Sequence, residues 1–405
     1  MLTYLDRICL SAAAPGISAD LGLSNMQMGV VFSIFALSYA IFELPAGWWG
    51  DRVGQRRVLA RIVAGWSVFT ILTGLAWSYL SLLAMRFVFG AAEAGAFPTL
   101  ARAVARWFPQ HERARANGVN WMGARLGGAF APAMSAFLIA TIGWRTTFAI
   151  FGAVGFLWCA AFWWWYRDDP AQHPGVDPIE LSYIQQGAAT QPAHPPSALL
   201  ATRRIVSSGT MWALFGMYFC SAFGFYFLST WLPTFLMKDH SLSLQRSGLY
   251  AGLPLAAGAI GCLFGGALSD WLALRTGNLK LARRAIAISG FFLAALGFAL
   301  AGFANTGLQA VLFLAFAEGA YDFSLPVSWA TVTDVGGAFG GTTGAFMNMA
   351  SSLSAMISAV AAAWLATKFG SFSSMLCLAG AIYFVGGVMW LLIDPTKRLS
   401  FESNA

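Results

Sequence analysis

Long apolar runs recur along this chain, and they decide what it can fold into. About 20 consecutive apolar residues cross a bilayer as an α-helix. In lipid every backbone N–H and C=O must be satisfied internally, which a helix does within its own segment. The runs predict twelve spans, over residues 1–18, 27–48, 58–77, 80–104, 116–140, 145–166, 211–236, 247–268, 283–303, 308–331, 340–363 and 372–393. Composition agrees, with 58% hydrophobic and 10% charged residues, where a soluble domain carries about 25% charged. Between the sixth and seventh spans, Arg167 to Gly209 is polar and rich in Pro, Asp and Gln. The expected fold class is therefore an all-α membrane protein with twelve transmembrane helices in two six-helix, pseudo-symmetric halves. The expected organisation is an N-terminal six-helix bundle at 1–166, a cytoplasmic linker at 167–209, a C-terminal six-helix bundle at 210–394 and a cytoplasmic tail at 395–405.

Orientation follows from the basic residues. Of the 24 Lys and Arg, 17 fall in loops or at span ends on one side, 4 on the other, and 3 (Arg7, Arg86, Arg125) deep within spans. The positive-inside rule places both termini and the linker in the cytoplasm. The net charge of +7 is thus a topology signal spread over short loops, and nucleic acid is not an expected partner. The five cysteines lie in apolar runs with no Cys-x-x-Cys or Cys/His cluster, so neither metal nor disulfide is expected. No Gly-x-x-x-x-Gly-Lys-Ser/Thr loop for ATP is present, and no nucleophile–base arrangement points to an enzyme.

Both halves carry a related loop after their second span. In the first it reads Gly47-Trp48-Trp49-Gly50-Asp51-Arg52-Val53-Gly54-Gln55-Arg56-Arg57, and in the second Gly266-Ala267-Leu268-Ser269-Asp270-Trp271 with Arg275, Lys280, Arg283 and Arg284 beyond. Half-repeats around a central site are a transporter architecture. The 47–57 stretch resembles the signature loop of the major facilitator superfamily. Gly47, Asp51, Arg52, Gly54, Arg56 and Arg57 would form a gating loop, in which Asp51 caps the next helix or pairs with a basic group. A second set narrows the likeness: Tyr4-Leu5-Asp6-Arg7, Leu83 to Pro98 with Arg86 and Glu93 within it, Trp107-Phe108-Pro109 followed by Glu112-Arg113, and Thr230-Trp231-Leu232-Pro233. These are similar to the anion:cation symporter family, which includes hexuronate, galactonate and other sugar-acid transporters. The resemblance implies the major facilitator fold, no cofactor, and secondary transport in the bacterial inner membrane.

Charges inside spans cost about 2.5–3.5 kcal/mol each on insertion scales, so each needs a partner or a task. Arg86 and Glu93 are seven apart, nearly two full turns, and share one helix face. Counting back 13 residues from Asp20 to Arg7 gives roughly 20 Å of helix, which places Asp6 and Arg7 inside the hydrocarbon core. In the resembled family the matching acids carry the coupling proton and the matching arginines meet a substrate carboxylate. An arginine is always charged and presents a planar fork suited to a carboxylate. Arg7, Arg86 and Arg125 are accordingly substrate candidates, and Asp6, Glu93 and Asp322 proton candidates. Set against Asp6 and Glu93, the three arginines leave one positive charge in excess (+3 − 2 = +1). Tyr4, Tyr39, Tyr226, Ser328, Trp329 and Asn348 supply hydroxyl, indole and amide groups suited to a small polyol acid. Glu318 and Glu43 are read as structural.

Family members carry a further half-helix before the Tyr-x-Asp-Arg motif, whereas only Met1-Leu2-Thr3 precede Tyr4 here. The first helix is therefore expected to be truncated. The expected function is proton-coupled symport of a small organic anion by a monomer in the lipid bilayer. A drug/proton antiporter of the same superfamily is the first alternative, and three intramembrane arginines speak against it. A non-transporting membrane sensor is the second, and the short polar linker offers no signalling domain.

Overall fold

A computed structural model describes residues 2–186 and 198–399. No strand occurs among the described residues. The helices are α1 (Leu2–Leu21), α2 (Asn25–Val53), α3 (Gln55–Gly74), α4 (Tyr79–Glu93), α5 (Ala96–Trp107), α6 (Arg113–Trp165), α7 (Pro178–Ile184), α8 (Ala198–Val206), α9 (Gly209–Lys238), α10 (Leu244–Thr276), α11 (Leu279–Gly302), α12 (Gly307–Gly336), α13 (Gly340–Phe369) and α14 (Ser373–Met389). The first is a continuous helix of 20 residues. Among the described residues, eight helical stretches are long and apolar enough to cross a membrane. Large apolar side chains such as Trp77, Phe137, Leu157 and Val360 are exposed around the molecule, a surface suited to lipid rather than water.

Local sequence explains most boundaries. Ser24 accepts from the Gln27 N–H while the Gln27 side chain accepts from the Ser24 N–H, a reciprocal cap that starts α2. Ser208, Asn278 and Thr306 cap α9, α11 and α12 in the simpler way.

Three predicted spans differ from the structure in detail. Residues 80–104 are split into α4 and α5 at Gly95, whose φ is +83°. A Cβ there would also lie 2.5 Å from the Ala46 Cβ, so the break is fixed by backbone conformation and by the close approach of α2. The predicted spans 116–140 and 145–166 form one 53-residue run turned at Gly143 (φ 78°, ψ 160°). The connection is one residue of left-handed backbone, too short to register as a loop by composition.

Helices before the linker meet helices after it chiefly through α6 against α10 and α12, and α2 and α5 against α13. Small residues allow the contact. A Cβ on Gly118 would fall 2.5 Å from the Cys262 carbonyl oxygen, and one on Gly47 would fall 2.6 Å from that of Gly341. Trp121 stacks on Phe97 at 4.7 Å and leans on Trp329 at 5.7 Å, extending this seam with aromatic area. The linker's described part folds against the same end. The Arg56 N–H donates to Asp168 Oδ1 at 2.8 Å, and the Trp107 indole donates to the Arg167 carbonyl at 2.9 Å.

Candidate functional site

The charged residues predicted in α1 and α4 come together. Arg7 Nε donates to Glu93 Oε1 at 2.9 Å. Glu93 is fully buried, whereas the Arg7 side chain keeps 23% of its surface exposed. The Arg7 guanidinium lies 4.9 Å from the Tyr39 ring centroid and 5.1 Å from that of Phe35. Arg86 lies over Phe35 and Phe89, at 5.2 and 4.2 Å. These rings hold the cations in place through their negative faces. Polar groups remain unmet: Asp6 Oδ1, Arg7 Nη2, Arg86 Nε and Nη1, and Glu93 Oε2 are buried without a hydrogen-bond partner among the described residues. A buried guanidinium with free donors is a costly arrangement, and an incoming carboxylate would satisfy it. Glu93 closes α4 immediately before the Gly95 break, so the acid sits where the helix changes direction.

Arg125 sits elsewhere than the charge count over Asp6 and Glu93 assumed. Its Nε and Nη2 donate to the two carboxylate oxygens of Asp322 at 2.7 Å each, and Nη2 lies 3.1 Å from Glu318 Oε1. All three side chains are buried. The excess of +1 left out Asp322 and Glu318; with them the buried charges total −1 (+3 − 4) and fall into two sets. Arg7 and Arg86 with Asp6 and Glu93 sum to zero (+2 − 2), and Arg125 with Asp322 and Glu318 sums to −1 (+1 − 2). The reason is rotational: Arg125 faces α12 rather than α4. Glu318, read as structural, belongs to this second set, and its spacing of four from Asp322 was the available signal.

The hydroxyl and amide candidates divide likewise. Tyr4 packs over Gly128 of α6, where a Cβ would be 3.4 Å from its ring, and Tyr226 adjoins Phe225, with ring centroids 5.4 Å apart. Ser328 donates to the Ser324 carbonyl at 2.9 Å, and the Trp329 indole donates to the Tyr218 hydroxyl at 3.1 Å. Both are buried and already partnered, and neither is brought beside the arginines by a hydrogen bond. The Asn348 amide donates to Glu43 of α2, a buried pair that the sequence did not suggest.

The loop at 47–57 forms a latch. Asp51 accepts from the Gly341 N–H at 2.9 Å and from the Thr342 N–H and hydroxyl at 2.7 Å each. It therefore caps α13 rather than the helix that follows it, with Arg102 Nε 3.6 Å away. The positive end of a helix favours such an anion. Gly47 makes room for Gly341, while Gly54 turns the chain at φ 97° and a Cβ there would clash with the Asp168 carboxylate. Arg52 is exposed over Trp48, Arg56 lies over Trp163, and Arg57 is exposed. Nearby, Arg113 and Arg283 both donate to Asp334 in a buried cluster, and Arg102 donates to the Gly337 carbonyl. The repeat loop mirrors the arrangement, since Asp270 Oδ2 accepts from the Arg115 N–H at 2.6 Å. Among the described residues no group of His, Cys, Asp and Glu could hold a metal ion.

Comparison with known proteins gives a consistent picture. The family model of the Major Facilitator Superfamily matches residues 1–359. The chain is 36% identical over 396 residues to the "Probable sulfoacetate transporter SauU" of Cupriavidus necator, covering 97% of this chain and 91% of that protein. It is 31% identical over 424 residues to the "Probable galactarate/D-glucarate transporter GudP" of Escherichia coli K12, covering 99% and 92%. Among solved structures it is similar in fold to the proton:xylose symporter XylE, with a TM-score of 0.76 at 15% identity, over 98% of this chain and 94% of that one.

Proposed function

The chain belongs to the major facilitator superfamily, and from that premise we propose that it carries a small organic anion together with protons by alternating access. It is a transporter, not an enzyme. Two six-helix halves, 1–166 and 210–394, joined by the 167–209 linker, would rock about a central site. Both termini and the Asp51 loop would face the cytoplasm, and a monomer in the inner membrane would suffice.

The observation that carries the reading is the Arg7–Glu93 pair with the unmet donors of Arg86 beside it. Arg7 and Arg86 would take the substrate carboxylate, and Asp6 and Glu93 the coupling proton. Charge balance supports coupling. This set sums to zero, so an anion arriving alone would leave a buried negative charge, which is expensive at low dielectric. A proton on Asp6 or Glu93 removes that charge, and one on Glu93 would also free Arg7, which it holds at 2.9 Å, for the substrate. Asp322 is a further proton candidate, and Tyr4, Tyr39, Tyr226 and Asn348 would meet substrate hydroxyls. Ser328 and Trp329 would shape the wall behind them. The relatives named for sulfoacetate and for galactarate/D-glucarate support an organic acid as the cargo.

The conformation supports alternating access. The hydrogen bonds and ion pairs that cross from helices before the linker to those after it concentrate at the Asp51 end. On α1, by contrast, Ser11, Pro15 and Ala19 are exposed on the face that runs away from that end, past the half-buried Tyr4 and Arg7. This is the pattern of a site closed toward Asp51 and open on the other side.

The test is uptake into proteoliposomes. Galactarate or sulfoacetate should accumulate when an inward proton gradient is imposed; accumulation indifferent to collapse of that gradient would overturn proton coupling. Arg7→Ala should weaken anion binding by about ten- to a hundredfold, the value of one charge-assisted hydrogen bond of about 1.5–3 kcal/mol. Unchanged affinity would remove Arg7 from the site.

A further inference from the structure

Glu43 is a buried acid that neither of the two charge sets includes. We infer that it is a proton-binding site built into the gate on the Asp51 side: it holds a proton while α2 and α13 are closed on each other and releases it when they part. The inference rests on the alternating-access reading above and gives that movement a proton of its own.

The site is part of one stripe of α2. Tyr39, Glu43, Gly47 and Asp51 recur every four residues and so share a helix face, and all four are buried. Three of them meet α13 in register. Asp51 caps its first turn, a Cβ on Gly47 would lie 2.6 Å from both the Gly341 carbonyl oxygen and the Ala345 Cβ, and Glu43 accepts from the Asn348 amide. The Tyr39 ring, one turn further, lies 4.9 Å from the Arg7 guanidinium. Glu43 therefore stands between the Asp51 latch and the Arg7 site, roughly 12 Å along the helix from Asp51. It exposes 0% of its surface and has no counter-charge. Glu93, Asp51, Asp334 and Asp322 each face an arginine, whereas among the described residues no ion pair includes Glu43. The charges on the helices packed against α2 are engaged elsewhere or offset along it. Arg7 of α1 is held by Glu93 of α4, and Arg86 of α4 lies over Phe35, two turns from Glu43. Arg102 of α5 attends Asp51, the charges of α3 stand in its first two turns, and α13 carries none before Lys368. An ionised carboxylate buried against a single amide is costly, and such a group is neutral instead. The neutral acid suits the contacts. Oε1 takes the Asn348 N–H, while Oε2 and the Tyr39 hydroxyl have no partner among the described residues. An O–H on Oε2 leaves a neutral unmet group there rather than a bare charge, which is the less costly arrangement. When α13 leaves α2, Glu43 loses Asn348 and meets water. The Oε2–H bond breaks, its electron pair stays on the carboxylate, and the proton passes to cytoplasmic water, in which a glutamate is ionised at neutral pH.

The alternative is a hydrogen bond that only packs α2 on α13. The two differ in pH dependence. The experiment uses the full-length protein without any anion, carrying one cysteine at Ser11 on the exposed face of α1, with the five native cysteines replaced. Labelling by a membrane-impermeant maleimide is measured across pH and divided by the rate for the denatured protein at the same pH, which removes the thiol's own titration. The closed gate binds the proton and the parted gate does not, so raising the pH favours parting and slows labelling. One proton sets a ceiling of about tenfold per pH unit, and the parent should slow by at least about threefold between about pH 6 and about pH 8. Glu43→Gln keeps the size and the acceptor for Asn348 but cannot ionise, so most of that slope should vanish and labelling should stay fast at the upper pH. Any slope left belongs to Asp6 and Glu93. Infrared spectra of the parent at neutral pH give a second readout that does not depend on labelling: they should hold a protonated-carboxyl band that Glu43→Gln removes. A parent indifferent to pH, a variant with the slope of the parent, or no band dependent on Glu43 overturns the proton site and leaves anion uptake standing. A protein that shows the pH response but accumulates no anion loses the transport reading and keeps the proton site.

Discussion

Removing Asp51 should shift the whole conformational balance. Its carboxylate accepts three hydrogen bonds from Gly341 and Thr342, at 2.9, 2.7 and 2.7 Å, and faces Arg102 at 3.6 Å. Hydrogen bonds to a charged group are each worth about 1.5–3 kcal/mol, but neighbouring bonds are not additive. Breaking a buried ion pair by deleting one partner costs about 3–5 kcal/mol, and that figure is the better bound for Asp51→Ala. If the halves separate at this end in the opposite conformer, the contacts exist in one state only and the full amount becomes a population shift. At 1.4 kcal/mol per tenfold, the shift is on the order of a hundred- to three-thousandfold. The assay is a single Cys at Ser11, on the exposed face of α1, in a background with the five native cysteines replaced, labelled by a membrane-impermeant maleimide. Asp51→Ala should slow labelling strongly as the protein leaves the state in which that face is open. Asp51→Asn, which keeps an acceptor and loses the charge, should fall between. Labelling equal to the parent in both variants would refute the reasoning, because the latch would then hold no more of one state than of the other.

Two further outcomes are expected. Glu93→Gln should leave substrate exchange across proteoliposomes measurable while abolishing proton-driven accumulation, because the hydrogen bond to Arg7 can be kept without a site for the proton; retained accumulation would move the proton to Asp6 or Asp322. Outside the membrane, hydrogen bonds from Lys280 and Thr396 hold the Asp394 carboxyl well below the usual carboxylate range. A depressed folded value stabilises the protein above the unfolded value of about 3.9 and loses that contribution as pH falls toward the folded one. The Lys280 side chain keeps 41% of its surface exposed, so Asp394→Asn should cost under about 1 kcal/mol at pH 7, and the gap in melting temperature should close as pH is lowered below about 4. A gap that widens on acidification would contradict the assignment.

What the sequence discloses, and what it hides, follows from the range of each interaction. Spans are legible because lipid imposes a length, and the shared face of Arg86 and Glu93 because a helix imposes a period. Asp51 was expected to cap the next helix or pair with a basic group; it lies 3.6 Å from Arg102 but caps a different helix. The helix it caps is α13, whose first residues lie 290 positions away, and no local pattern could name it. Arg125 is the sharper case. Its four-residue-spaced partners Asp322 and Glu318 were visible as a pair, yet which cation they face depends on how α6 is rotated against α12, across 197 positions of sequence. That rotation changes the count. Without Asp322 and Glu318 the charges summed to +1; once Arg125 is seen to face these two acids, the sum is −1 (+3 − 4). An anion would add to a buried negative charge, which is expensive at low dielectric, and this is the ground on which we propose that protons accompany it. That ground comes from which residues stand opposite one another, and the titrating acids can be sought on both sides of the site.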